Sequence, residues 1–290
     1  MSASNPSRKT DTPVRKAEGI RDREHRLSSG LRLKTLADVV EFVHSKGLVS
    51  LLGGNELPSM ISAVLGRPWK PSAKGFTGWL DWWSLKFEGQ QLARVLGDIE
   101  RRNDILASRI FRRSKTFISD RLWPILDPIV EHHKNLATRG RMLPPLELKI
   151  LKTIDREVSI RTDLLRKGLK LEDEENNYRF HRSLANLESY GLIVGAEDPS
   201  PERHIHANIW QTWEKRTHHT KNDTRTSYEK MVAKLLERTI EACVLVREDR
   251  IKDWYRWSTD TEHAKEDLLK EGAIARVGGF LIPSRIFSHL

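Results

Sequence analysis

Between residues 146 and 210 the chain reads as three short amphipathic helices followed by a strand, a turn and a second strand. That order leaves few folds open. Leu146 to Ile154 places apolar residues at helical spacing, and Ser159 to Lys167 gives a shorter helix with Ser159 in the capping position. Asn176 to Tyr190 gives a third, with Phe180, Leu184 and Leu187 on one face. Gly191 to Gly195 reads as a strand, Asp198-Pro199-Ser200-Pro201 as a turn, and His204 to Trp210 as an alternating return strand. Three helices backed by a hairpin make a winged helix, a variant of the helix-turn-helix.

A fainter second copy follows. Tyr228 to Ile240, a short segment within Arg247–Trp257, and Thr261 to Lys270 read as helices, and Ala273 to Ile282 reads as strand, Gly-Gly turn and strand. The fold expected is mainly α with small β-hairpins, an α+β chain of tandem winged-helix domains. Expected boundaries are a disordered basic arm over 1–30, a helical, winged-helix-like domain over 31–140, a winged helix over 145–216 and another over 225–290. The arm carries seven Lys or Arg residues against four acids and almost nothing bulky to bury.

In the N-terminal domain a helix runs from Leu31 toward Gly47, and Glu56 to Leu65 reads as another. An aromatic-rich stretch, Phe76 to Phe87 with Trp79, Trp82 and Trp83, suits either core packing or base stacking. Gln91 to Arg113 reads as one long helix whose polar face carries Arg101, Arg102, Arg109, Arg112 and Arg113, with Lys115 after it. Six positive charges against Asp104 alone give residues 101–115 a net of +5. Ser119 to Ala137 reads as a further helix.

The whole chain carries 50 Lys and Arg against 40 Asp and Glu, a net charge of +10. Such a balance points to a polyanion, nucleic acid or an acidic membrane surface, and with winged helices to duplex DNA. Arg179, Arg182 and Asn186 lie on the face of the third middle helix opposite its apolar stripe, where they could reach phosphates or a groove; His204 and His206 on the wing strand suit phosphate contact. The corresponding helix of the last domain is acidic, which suits packing better. No signal peptide or 18-residue apolar run is present, so a cytoplasmic protein is expected, nucleoid-associated if prokaryotic, without a membrane partner. The single Cys243 sits in an apolar run as a small hydrophobe. The paired histidines lack the spacing of a metal site, and neither a phosphate loop nor a nucleophile elbow occurs, so no metal and no cofactor are expected.

Four segments in order carry a family resemblance: Gly78-Trp79-Leu80-Asp81-Trp82-Trp83, Lys115-Thr116-Phe117-Ile118-Ser119, Tyr178 to Leu187, and Trp254-Tyr255-Arg256-Trp257-Ser258. Over roughly residues 32–285 the chain resembles the AlkZ/YcaQ-like winged-helix family, in its AlkZ-related branch. The characterised members are DNA glycosylases that excise alkylated bases and unhook interstrand crosslinks. The resemblance implies tandem winged helices around a basic channel, with the chemistry on the N-terminal unit. It also implies a motif of glutamine, an apolar residue, then glutamine or aspartate after the first helix. Residues 48–57 contain no glutamine. No catalytic residue transfers, and base excision is in question for that reason; Asn55 and Glu56 are the nearest polar substitutes, a carboxylate to activate water and an amide to orient it. Both also suit the start of the helix after them. Two functions stay open: a DNA-repair protein of the glycosylase type, catalytic or a damage binder, and a sequence-specific winged-helix regulator without enzymatic activity.

Overall fold

The computed structural model describes residues 7–53, 56–71, 81–198, 208–218 and 227–290, with side chains from residue 13 onward. It is mainly helical with small antiparallel sheets. One plan occurs three times among the described residues: a helix, a short strand, two helical segments, and a hairpin whose second strand takes the middle of the sheet. In the first unit these are helix Leu36–Lys46, β1 (Leu48–Ser50), helices Met60–Leu65 and Leu92–Glu100, and, after a two-stranded ribbon of β2 (Lys86–Phe87) and β3 (Gln90–Gln91), the hairpin of β4 (Ile105–Ser108) and β5 (Thr116–Ser119). The sheet order is β1-β5-β4.

The second unit has helix Pro145–Arg156, β6 (Ile160–Arg161), helices Thr162–Leu169 and Glu174–Ser189, β7 (Ile193–Glu197) and β8 (Asn208–Thr212), in the order β6-β8-β7. The third has helix Tyr228–Cys243, β9 (Val246–Arg247), a 3-10 segment Glu248–Asp253, helix Ser258–Lys270, β10 (Ile274–Val277) and β11 (Phe280–Pro283), with β11 again central.

The sheet of the first unit is buried on both faces, which explains its continuous apolar strands. Leu48, Leu106 and Ile118, aligned across the three strands, join a core shared with helix Trp123–Thr138 and the third unit. Val49, Ile105, Ala107 and Phe117 face the other way, into a core closed by the helices of their own unit. The middle unit has its own core around Ile150, Leu165, Phe180, Leu184 and Leu187. There Trp210 lies over Gly195, its register partner, where a Cβ would stand 2.6 Å from the ring, and its indole N–H donates to Thr162 Oγ1 at 2.9 Å.

Two of the polar links between the units come from the segment after β8. Trp213 Nε1 donates to the buried Asp127 of helix Trp123–Thr138 at 2.6 Å. The Arg216 guanidinium donates to the carbonyls of Glu100 and Arg102 at 2.8 and 2.7 Å, taking up acceptors left open where helix Leu92–Glu100 ends.

Four expectations are corrected. Residues 91–113 are not one helix: it stops at Glu100, and Ile105–Ser108 is a strand whose alternate residues enter different cores. The basic arm is not disordered where it is described, because residues 7–24 form a helix with Ala17 fully buried against Val244 and Ile282. The helix expected from Glu56 begins at Met60, capped by Ser59 Oγ on the Ser62 N–H; Asn55 lies outside the described residues. Ser159 does not cap a helix, since β6 intervenes and the helix begins at Thr162. No helix among the described residues is long and apolar enough to cross a membrane.

Candidate nucleic-acid interface

The tip of the β4–β5 hairpin is fixed by an aromatic plug. Phe111 is fully buried, with ring centroids 5.3 Å from Trp254 and 5.8 Å from Tyr255 of the third unit. The Arg112 N–H donates to the Trp254 carbonyl at 2.7 Å. Beyond the plug, Arg112 and Arg113 take left-handed backbone angles, φ 48° and 53°, which cost about 1 kcal/mol or more each in residues with a Cβ. Burial of Phe111 and the hydrogen bond to Trp254 offset that strain. They also turn the two guanidinium groups away from the core.

Arg112 and Arg113 line a cleft of about 440 Å³ together with Lys252 and Arg256, with Asp253 as the one carboxylate of the lining. Ile110, Trp254 and Tyr255, all buried, complete it with Ser258. Arg256 also lies over the Tyr190 ring, 5.2 Å from its centroid, at the end of helix Glu174–Ser189. Four cations from two units therefore face one concavity.

Carboxylates govern how far each arginine is free. Arg112 pairs with Glu56 at 2.9 Å, and both are partly buried. Arg109 reaches the buried Glu188 at 3.3 Å, and Lys115 pairs with the buried Glu100. Burial pushes the Glu188 carboxyl up to about 7 against the pull of Arg109 and Lys115, and burial raises Glu100 as well. Arg113 is exposed and makes no ion pair among the described residues.

The charges of 101–115 do not share one face. Arg101 and Arg102 precede β4, where they pair with Asp98 and with both oxygens of Asp104; the latter contacts are 2.7 and 2.6 Å. Arg109, Arg112, Arg113 and Lys115 follow at the other end of that strand, about 13 Å away at the usual rise.

In the middle unit Arg179 and Arg182 are exposed, as is Tyr178. Asn186 is not free for a groove: its amide donates to Glu147 Oε1 at 2.8 Å, on the neighbouring helix. His204, His206 and Trp79 lie outside the described residues, whereas Trp82 packs against the core of the first unit and meets Trp83 edge to face, ring centroids 5.9 Å apart. In the third unit Lys265 is enclosed by Glu262, Glu266 and Glu248 at 2.7 to 3.4 Å, so the acidic face of that helix is engaged internally. Sequence reasoning missed Lys252, Arg256 and Tyr190 as cleft neighbours. The signal available was Lys252 and Arg256 interleaved with Trp254, Tyr255 and Trp257. Among the described residues no three His, Cys, Asp or Glu side chains converge as metal ligands.

A search of the curated proteins finds no match. Among solved structures the chain is similar to the Streptomyces sahachiroi DNA glycosylase AlkZ, with a TM-score of 0.55 at 11% sequence identity, covering 100% of this chain and 72% of that one. At that identity the likeness is one of fold. A family model described as AlkZ related matches residues 33–256. Matched over that span, the chain belongs to the AlkZ-related family.

Proposed function

We propose that this protein is a DNA-repair protein of the glycosylase type, built of winged helices, that takes damaged duplex DNA against the cleft between the β4–β5 hairpin and residues 252–256. The observation that carries the reading is the convergence of Arg112, Arg113, Lys252 and Arg256 on one concave surface. Such a surface neutralises backbone phosphates and releases their counterions, giving a salt dependence of about 0.9 log units per phosphate contacted. Arg179 and Arg182, exposed on the middle unit, add two further cations for phosphate. The AlkZ fold and family membership support DNA as the partner.

Binding, rather than base excision, is the function assigned. A carboxylate that activates water needs a free oxygen facing the reacting carbon. Glu56 is held on Arg112, and residues 48–57 lack the glutamine of the resembling glycosylases.

The test is a titration of undamaged, alkylated and crosslinked duplexes at two salt concentrations, with base release followed in parallel. Salt-dependent binding that favours the damaged duplexes supports the proposal. Tight binding to one duplex sequence would instead identify a regulator, and salt-independent or absent binding would overturn the cleft as an interface. Base release from an alkylated duplex would return Glu56 to the catalytic role.

A further inference from the structure

A second basic cleft, of about 780 Å³, lies where the end of helix Ser7–Glu24, helix Leu36–Lys46 and helix Tyr228–Cys243 meet. It touches Gly47, which precedes β1, and Leu122, which follows β5. The cleft beside Arg112 is at the other end of β5, so the two open at opposite ends of one sheet.

Six cations line this second cleft: Arg23, Arg26, Lys46, Arg121, Arg238 and Arg285. Two carboxylates oppose them. Glu24 pairs with Lys46, and Glu241 receives Arg238 at 2.8 Å and Arg285 at 3.4 Å. Arg23 and Arg26 make no ion pair among the described residues, and Arg121 makes one long hydrogen bond, 3.4 Å, to the His44 carbonyl. The net excess is four positive charges in one concavity, held by segments far apart in sequence.

The shape and chemistry of the lining select the ligand. Of its two aromatic rings Phe42 is buried and His44 is held between Ser119 at 2.8 Å and Asp104 at 3.2 Å, so the walls offer no free face on which a base could stack. The cations stand on long side chains from five separate segments rather than on a nest of backbone N–H groups, an arrangement suited to a linear polyanion more than a compact one. We propose that this cleft binds the phosphodiester backbone of a second nucleic-acid segment, so that one molecule holds two segments at opposite ends of its first sheet. Binding in this cleft rests on its own lining, and the holding of two segments rests on the function proposed for the first cleft.

The test uses the full chain, a short labelled duplex and two variants: Arg23→Gln/Arg26→Gln/Arg121→Gln in this cleft and Arg113→Gln/Arg256→Gln in the other. The parent is expected to bind two duplexes, and each variant one. The triple variant should lose about 2 to 3 units of the summed salt slope. A triple variant with the parent's stoichiometry and slope would overturn the proposal while leaving the first cleft intact. Loss of all binding in the triple variant, with none lost in the double, would overturn the first cleft and keep this one. Inorganic tripolyphosphate distinguishes the source of the phosphate: if it occupies the site in the double variant far below the duplex concentration needed, a free polyphosphate is the ligand and the nucleic-acid assignment falls. Should the triple variant melt early, hydrogen exchange on the parent decides, with duplex protecting residues 23–31 if the proposal holds and leaving them unprotected if it does not.

Discussion

Glu56 Oε2 stands 2.9 Å from Arg112 Nη1, and the same arginine donates its backbone N–H to Trp254 of the third unit. One residue thus joins the segment after β1, the hairpin tip and the C-terminal wall of the cleft. Replacing Glu56 by Gln removes a negative charge beside the proposed phosphate path without altering size. Binding of duplex DNA should tighten by about fivefold, near 1 kcal/mol, at low salt. Arg112→Ala should weaken it. Anisotropy titrations of both variants check the sign, and a Glu56→Gln variant that binds no tighter than the parent would separate Glu56 from the interface.

The arginines of 101–115 should rank by their ion pairs rather than by their number. Arg113→Ala is expected to cost the most binding, since its charge is unengaged among the described residues, and Arg101→Ala and Arg102→Ala the least, since Asp98 and Asp104 already hold those charges. The triple variant Arg109→Ala/Arg112→Ala/Arg113→Ala should weaken binding to all duplexes alike and flatten the salt slope by up to about 3 units. Equal losses at Arg101 and Arg113 in the same titration would contradict the placement.

Leu184 is 2% exposed between Phe180 and Leu187, both at 0%. Leu184→Ala leaves a cavity worth about 2–5 kcal/mol and should lower the thermal midpoint steeply. Arg179→Ala with Arg182→Ala, both exposed, should melt within about 0.5 kcal/mol of the parent yet bind DNA less well. Circular dichroism melts and one DNA titration separate the two outcomes. A double arginine variant that binds like the parent would remove this helix from the interface.

Glu188 makes stability depend on pH in an unusual direction. Its carboxyl is raised from 4.5 to about 7 by burial, so the folded chain holds that proton where the unfolded chain has lost it. The contribution is therefore full below about pH 4.5 and is lost as pH rises through 7, a change of about 3 kcal/mol at most. Glu188→Gln should raise stability at pH 8 relative to the parent and leave it little changed at pH 4. Denaturant melts at the two pH values measure this, and a variant equally shifted at both would refute the linkage.

The repeated helices were legible because each carries one buried stripe, as Phe180, Leu184 and Leu187 do in the middle unit, and the C-terminal hairpin was legible from its Gly278-Gly279 turn, although Leu281 and Ile282 enter different cores. Residues 101–113 were not, since Ile105, Leu106 and Ala107 are buried on opposite faces of one strand and so show no period of two. Family membership was legible from the order of four short segments. The cleft was not. Glu56 and Arg112 are 56 residues apart, and Phe111 meets Trp254 with the whole second unit lying between them in sequence. No local pattern encodes such pairings. The helix over residues 7–24 was missed for a related reason: its composition is that of a disordered segment, and what orders it is a docking surface made of Val244, Ile282 and their neighbours.

That docking has a kinetic side. His25, just past the helix, bonds to the carbonyl of Ala242, 217 residues later. At about 5–20 residues per second of synthesis, the segment leaves the ribosome on the order of tens of seconds before the surface that receives it exists. A strongly apolar helix would spend that interval seeking other partners. One that presents little beyond Val14, Ala17 and Ile20 stays hydrated while it waits, and its sparse hydrophobicity is then a safeguard of birth order.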